Sequence, residues 1–266
     1  MKLVGQEKLK AIFNQFNAKT LPRTILLLGP SGCGKHTFAR YLAEQFSLTT
    51  QFIDESIDTD KLNEISFKPV YTLYIIDLGL FDEKKQNQFL KFIEEPGQYA
   101  YVILLANSTL GILPTILNRC QKFYLDTYTK DQLKEFDWMN PVEYDFLYEV
   151  CPTPGQIMSV DMKSVKPLFD LCEVIIKSLA TNTYANTLKI ATKINYAEEY
   201  DKFEFYLFFN MLSYVAAKTY KETDNETAFK IYLITNSAIQ ELAVNKKLQK
   251  ENYMYTFLTE LWEGVR

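Results

Sequence analysis

The sequence predicts an α/β domain built on a parallel sheet and followed by a long helical region. The first observation behind this is the run Thr24-Ile25-Leu26-Leu27-Leu28, short and apolar enough for a strand buried on both faces. It leads straight into Gly29-Pro30-Ser31-Gly32-Cys33-Gly34-Lys35-His36, then into a segment carrying Phe38, Leu42, Ala43 and Phe46 at helical spacing. Strand, glycine-rich turn, lysine and helix together make a phosphate-binding P-loop. The second observation is that further apolar runs alternate with helix-period segments over about the first 125 residues, the pattern of a three-layer α/β domain. The third is that strand signals stop after Asp126, and helical periodicity dominates from there to the end.

Taken in order, residues 3–16 carry Leu9, Ile12, Phe13 and Phe16 as an amphipathic stripe, which predicts a helix. A polar connector with Pro22 leads to the first strand. Residues 50–53 read as a weak strand, 54–60 as an acidic loop and 61–65 as a short helix. Residues 71–77 form an apolar strand ending in Asp77. A helix is expected over 81–93, stopped by Pro96-Gly97. Residues 101–106 form another buried strand ending at Asn107. A short helix at 114–118 leads to Arg119 and Cys120, and residues 122–125 make a fifth strand. Thr129-Lys130-Asp131-Gln132 is a capping-box signature. Cys151-Pro152-Thr153-Pro154-Gly155 breaks the chain and marks a domain edge. Beyond it, Leu168, Leu171, Ile175 and Leu179 form a stripe. Residues 203–215 are apolar nearly all round, and 229–242 with Met254, Phe257, Leu258 and Leu261 supply two more helices.

The totals exclude several classes. The chain has 266 residues, 47% apolar and 23% charged, which suits a soluble globular protein of more than one domain. No run reaches the length of a membrane span and the N-terminus is not that of a signal peptide, so a cytoplasmic location with no membrane partner is expected. Cys33, Cys120, Cys151 and Cys172 lie far apart without a Cys-x-x-Cys pair, which argues against zinc and against a disulfide framework. With a net charge of −4, the surface as a whole does not attract nucleic acid.

The P-loop has Gly29, Gly34 and Lys35 at full spacing, but His36 stands where a Ser or Thr hydroxyl should hold Mg²⁺. An imidazole is bulky and poorly matched to a hard cation that wants oxygen ligands. Thr37 comes one residue late and faces another way. The chain therefore reads as a phosphate site and a poor magnesium site. Asp77 ends its strand where a metal-holding acid would stand, yet Leu78 follows it where a hydrolysing ATPase needs a glutamate to activate water.

These stretches resemble the clamp-loader branch of the AAA+ proteins. Val4-Gly5-Gln6 is similar to that family's N-terminal box. Tyr74-Ile75-Ile76-Asp77, followed by Gln86-Asn87-Gln88-Phe89-Leu90-Lys91-Phe92-Ile93-Glu94-Glu95-Pro96, resembles its Walker-B strand and the next helix. Residues 102–107, then Leu113-Pro114-Thr115-Ile116-Leu117-Asn118-Arg119-Cys120-Gln121, resemble the sensor-1 strand and the Ser-Arg-Cys motif, with Asn118 in place of Ser. Pro152-Thr153-Pro154-Gly155-Gln156 resembles a small-Pro-Gly turn found where catalytic relatives carry a sensor-2 arginine. The departures are a shorter segment between Asp77 and Gln86, no acidic Asp-Glu-Ala-Asp run, no cysteine zinc module, no catalytic glutamate and no sensor-2 arginine.

What the resemblance implies is an AAA+ P-loop α/β domain over residues 1–126, a small helical lid over 127–162 and an all-helical collar for oligomerisation over 163–266. It also implies ATP or ADP at a site formed by Gly29, Ser31, Gly32, Cys33, Gly34, Lys35, His36, Thr37, Asp77 and Asn107. Intrinsic ATPase activity is not expected. Arg119, pushed out at the edge of the sheet domain, is the expected arginine finger acting in trans. The implied partners are gamma/tau-like ATPase subunits, a delta-like subunit, a sliding clamp, and primed DNA through the assembled complex. An active clamp-loader ATPase and a P-loop small-molecule kinase are the alternative readings.

Overall fold

The computed structural model describes residues 3–54, 56–57, 69–136, 144–180, 202–244 and 250–266. The short helix expected at 61–65 lies outside them. Contacts divide the chain into two units. One holds Met1–Met139 with Pro152–Gly155, the other Asn140–Cys151 with Gln156–Arg266.

The first unit carries five parallel strands, β1 (Thr24–Leu28), β2 (Thr49–Ile53), β3 (Thr72–Asp77), β4 (Ala100–Ala106) and β5 (Gln121–Tyr124), in the order β2-β3-β4-β1-β5. β1 and β4 are buried at every residue, as expected of central strands covered on both faces. Because side chains alternate, Leu26, Leu28, Tyr74, Ile76, Val102 and Leu104 share one core with Phe89, Phe92, Ile93 and Ile116. An aromatic cluster packs elsewhere in the unit: Phe13 of α1 (Glu7–Phe13) lies 5.6 Å from Phe38 of α2 (Lys35–Gln45) and 4.6 Å from Phe123 of β5.

The helix expected over residues 81–93 is broken. Leu78–Leu80 form a 3₁₀ turn, and two helices follow, Glu83–Gln88 and Leu90–Glu94. Asp82 caps the first through the Lys85 N–H (2.8 Å). At the joint, the Phe89 N–H bonds the Gln86 carbonyl (3.1 Å), an i to i−3 closure that tightens the turn. The tightening drives Phe89 fully into the core. The first helix is also shorter than its sequence stripe, with Phe16 beyond its end.

In the second unit every regular element among the described residues is helical. Its long helices are Met162–Ala180, Lys202–Thr223, Glu226–Val244 and Lys250–Val265. Leu207, Phe208, Phe209, Met211, Leu212, Val215 and Ala216 are all buried, so the second of these is enclosed on several sides, as its all-round apolar character requires. Met254, Phe257, Leu258 and Leu261 are buried on one stripe of the last. Among the described residues no helix is long and apolar enough to cross a membrane.

Candidate functional site

The parallel register pairs Leu28 with Ala106 and Asp77 with Leu105, so β1, β3 and β4 end level at one edge of the sheet. In open parallel sheets the ligand crevice lies outside those carboxyl ends. The P-loop leaves β1 there, with the Gly29 N–H on the Ala106 carbonyl (3.2 Å). Gly32 (φ 75°) and Gly34 (φ 90°) are left-handed, a conformation that glycine adopts without strain. Gly34 then caps the N-terminus of α2, where backbone N–H groups and the helix dipole favour an anion.

Every carbonyl of this loop is engaged. Lys35 Nζ donates to Gly29 O (2.7 Å) and Pro30 O (2.9 Å). Thr153 Oγ1 donates to Ser31 O (2.8 Å), the Gly155 N–H to Gly32 O (3.1 Å), and the Tyr128 hydroxyl to Cys33 O (3.1 Å). The Tyr128 N–H in turn holds the Pro152 carbonyl (2.9 Å). Gly155 lies so close that a Cβ on it would meet the Gly32 Cα at 2.6 Å. Gln6 closes the base of this arrangement through paired bonds with the backbone of Asp126, Nε2 to O (2.8 Å) and Oε1 from N (3.0 Å).

Lys35 is only 8% exposed, and its third acceptor is Asn107 Oδ1 (2.9 Å). Burial pulls its ammonium below the ordinary lysine range, against the pull of Cys33 and Asp77. Burial likewise raises the Cys33 thiol. Asp77 Oδ1 accepts the Gly79 N–H (2.9 Å), while Oδ2 faces His36 Nε2 at 3.7 Å, a contact too long for a hydrogen bond. The imidazole beside it is the main influence holding the Asp77 carboxyl below its usual range, in opposition to partial burial. His36 also stands 5.9 Å from the Phe52 ring, which Arg40 covers at 5.0 Å.

The loop, its two left-handed glycines and Lys35 fit a phosphate. The donors around Asp77 do not fit Mg²⁺: a bulky imidazole already faces the acid, and Leu78 beyond it is buried hydrocarbon. Ser31 is exposed, and Thr37 stands half-buried in the first turn of α2.

Arg119 sits elsewhere on the unit. Its approach is set by Gln86, a buried amide (2% exposed) that donates to Phe81 O (3.2 Å) and Gly111 O (2.9 Å) and accepts from the Leu113 N–H (3.1 Å). This fixes the start of the helix Pro114–Leu117, whose Ile116 is fully buried. Arg119 then emerges half-exposed, with Nε and Nη2 on Glu94 Oε1 and Nη1 on Thr115 O (2.9 Å). Arg119 is thus held within its own unit by Glu94 and Thr115. Sequence reasoning also passed over Tyr128, Thr153 and Glu94. Thr153 lay inside a recognised turn without an assigned partner, and nothing in the sequence marks Tyr128.

Comparison with known proteins places the chain. Residues 55–129 match the family described as DNA polymerase III, delta subunit. DNA polymerase III subunit gamma of Buchnera aphidicola subsp. Schizaphis graminum is 28% identical over 170 residues, 51% of this chain and 47% of that protein. Over these stretches the chain is similar to DNA polymerase III subunits of the clamp-loader kind. DNA polymerase III subunit tau/gamma of Haemophilus influenzae is 26% identical over 168 residues, half of this chain and 24% of that protein. The chain thus spans about half the length of one curated relative and a quarter of the other. A DNA polymerase III gamma subunit-related protein of Thermotoga maritima, of known structure, aligns over 98% of this chain and 99% of its own, with a TM-score of 0.44 and 16% identity. The stretch matched to the delta-subunit family model contains Asp77, Asn107, Arg119 and Tyr128, and the P-loop precedes it.

Proposed function

We propose that this chain is the non-hydrolysing, stator-like subunit of a clamp loader, resembling the DNA polymerase III delta-prime subunit. The observation that carries this reading is the contact of His36 with Asp77 at 3.7 Å. Where a hydroxyl and an acid would share a magnesium ion, an imidazole faces the acid directly. Leu78 leaves no group to activate water. The P-loop is fastened through its carbonyls by Lys35, Thr153, Gly155 and Tyr128. Such a loop can keep its shape and hold a nucleotide passively, while turnover takes place on partner subunits.

In this proposal the lid spans residues 127–162 and the collar 163–266, and the collar joins the chain to gamma/tau-like ATPase and delta-like subunits in the cytoplasm. The assembled complex opens a sliding clamp and closes it on primed DNA. Arg119 offers its guanidinium to the nucleotide of a neighbouring ATPase subunit. A guanidinium is always charged and presents a planar fork that matches phosphate oxygens.

The test uses purified chain and reconstituted complex. The isolated chain should hydrolyse ATP no faster than a Lys35→Ala control. In the complex, Arg119→Ala should lower DNA- and clamp-stimulated hydrolysis, by on the order of 10³-fold at the site it serves if it acts as arginine fingers do elsewhere. Arg119→Lys should rescue poorly, because a point charge cannot reproduce the fork. Turnover by the isolated chain would instead support an active clamp-loader ATPase, a reading favoured by the intact Gly29, Gly34 and Lys35 and by the gamma-type names of the relatives.

A further inference from the structure

Arg119 and Glu94 meet where two short helices end. Glu94 closes the helix Leu90–Glu94, held down by the buried Phe92 and Ile93. Arg119 follows the helix Pro114–Leu117, held down by Ile116 and by the Gln86 amide through Leu113. Both side chains therefore spring from fixed backbone, yet they are 37% and 44% exposed and face solvent. An exposed ion pair of this kind adds little to stability. Its consequence lies in geometry.

A guanidinium has five N–H donors in a rigid plane. Glu94 Oε1 engages Nε and Nη2, and the Thr115 carbonyl engages Nη1. One N–H is left on each Nη, and the plane that carries them is held from two directions. We infer that Glu94 is the positioning residue for Arg119, fixing the orientation in which its two remaining N–H groups meet a phosphate of a neighbouring subunit's nucleotide. This assignment rests on the arginine-finger reading above. Glu94 acts through an acceptor oxygen more than through its charge, since a carboxylate beside a phosphate site is itself unfavourable. Glutamine, which keeps an oxygen at the same reach, should therefore substitute for it, and alanine should not.

The experiment has two arms. In the first, side-chain ¹⁵N relaxation reports the Arg119 Nε–H in the isolated full chain. It should be ordered in the wild type and in Glu94→Gln, and mobile in Glu94→Ala. In the second, complexes containing each variant are compared in DNA-stimulated ATP hydrolysis. Glu94→Ala should lower kcat about tenfold to a hundredfold with KM for ATP unchanged. Glu94→Gln should stay near the wild type, and Glu94→Ala combined with Arg119→Ala should be no slower than Arg119→Ala alone. Thermal unfolding of Glu94→Ala should match the wild type. An equally ordered Arg119 in Glu94→Ala overturns the assignment, as does a wild-type kcat for Glu94→Ala beside an impaired Arg119→Ala. An unimpaired Arg119→Ala complex overturns the arginine-finger reading, and the assignment falls with it.

Discussion

The Gly155 N–H bonds the Gly32 carbonyl at 3.1 Å, and a Cβ on Gly155 would stand 2.6 Å from the Gly32 Cα. Backbone thus meets backbone with no room for a methyl group. Gly155→Ala is expected to push the Pro152–Gly155 turn off the P-loop and destabilise the protein by about 1–3 kcal/mol, the range seen for overpacking. For a chain of this size that is a loss of about 2–4 °C in Tm per kcal/mol. An unchanged Tm would show that the contact yields freely.

Tyr128 places its hydroxyl on the Cys33 carbonyl (3.1 Å), and burial raises its phenol above the ordinary value of 10.0. Tyr128→Phe leaves that buried carbonyl without its donor and should cost about 1–3 kcal/mol. The pH dependence has a defined sign. A phenol whose folded pKa is raised contributes stability fully below its unfolded pKa and loses it as pH rises through the folded one. Denaturant titrations at pH 7 and above pH 10 should therefore show the difference between wild type and Tyr128→Phe shrinking in alkali. A constant difference would mean that the hydroxyl does not titrate with unfolding.

All four cysteines are free, and burial raises each thiol, Cys120 and Cys151 to about 12. The thiolate is the reactive species, and a thiol of that pKa is ionised to about one part in 10⁴ or less near neutrality. Native protein at pH 7.5 should react slowly with iodoacetamide and release four fast thiols on denaturation. A fast thiol at Cys120, the one cysteine of the four that is only half-buried, would show that its surroundings do not hold the thiol protonated.

How much of this was legible in the sequence follows the range of each interaction. β1, the P-loop turn and α2 are contiguous, so spacing alone located them. Asp77 and Asn107 were readable as the ends of apolar strands, and the sheet brings Asn107 to Lys35 across 72 residues. The break at Phe89 was not legible, because its cause is a single tightened turn inside a continuous apolar pattern. Nor were the bonds from Tyr128, Thr153 and Gly155, whose acceptors are backbone carbonyls that leave no signature in side-chain identity. Glu94 read as part of a motif, while its partner 25 residues away was set by where two short helices happen to end.

His36 and Asp77 define the last prediction. Their contact at 3.7 Å puts an imidazole where a metal-ligating hydroxyl would otherwise stand, and it is the leading cause of the depressed Asp77 carboxyl. His36→Thr removes the ring and supplies an oxygen beside an acid that is ionised at neutral pH. A hard cation prefers that pair of oxygens to a carboxylate facing imidazole. Calorimetric titration of the purified chain with ADP should show binding to His36→Thr strengthened on the order of tenfold by Mg²⁺, against little or no magnesium effect for the wild type. Hydrolysis of ATP should remain absent in the variant, because Leu78 still offers nothing to activate water. Equal magnesium dependence in the two proteins would show that His36 is not what sets the metal preference. Hydrolysis by His36→Thr would show that Leu78 is no barrier to turnover.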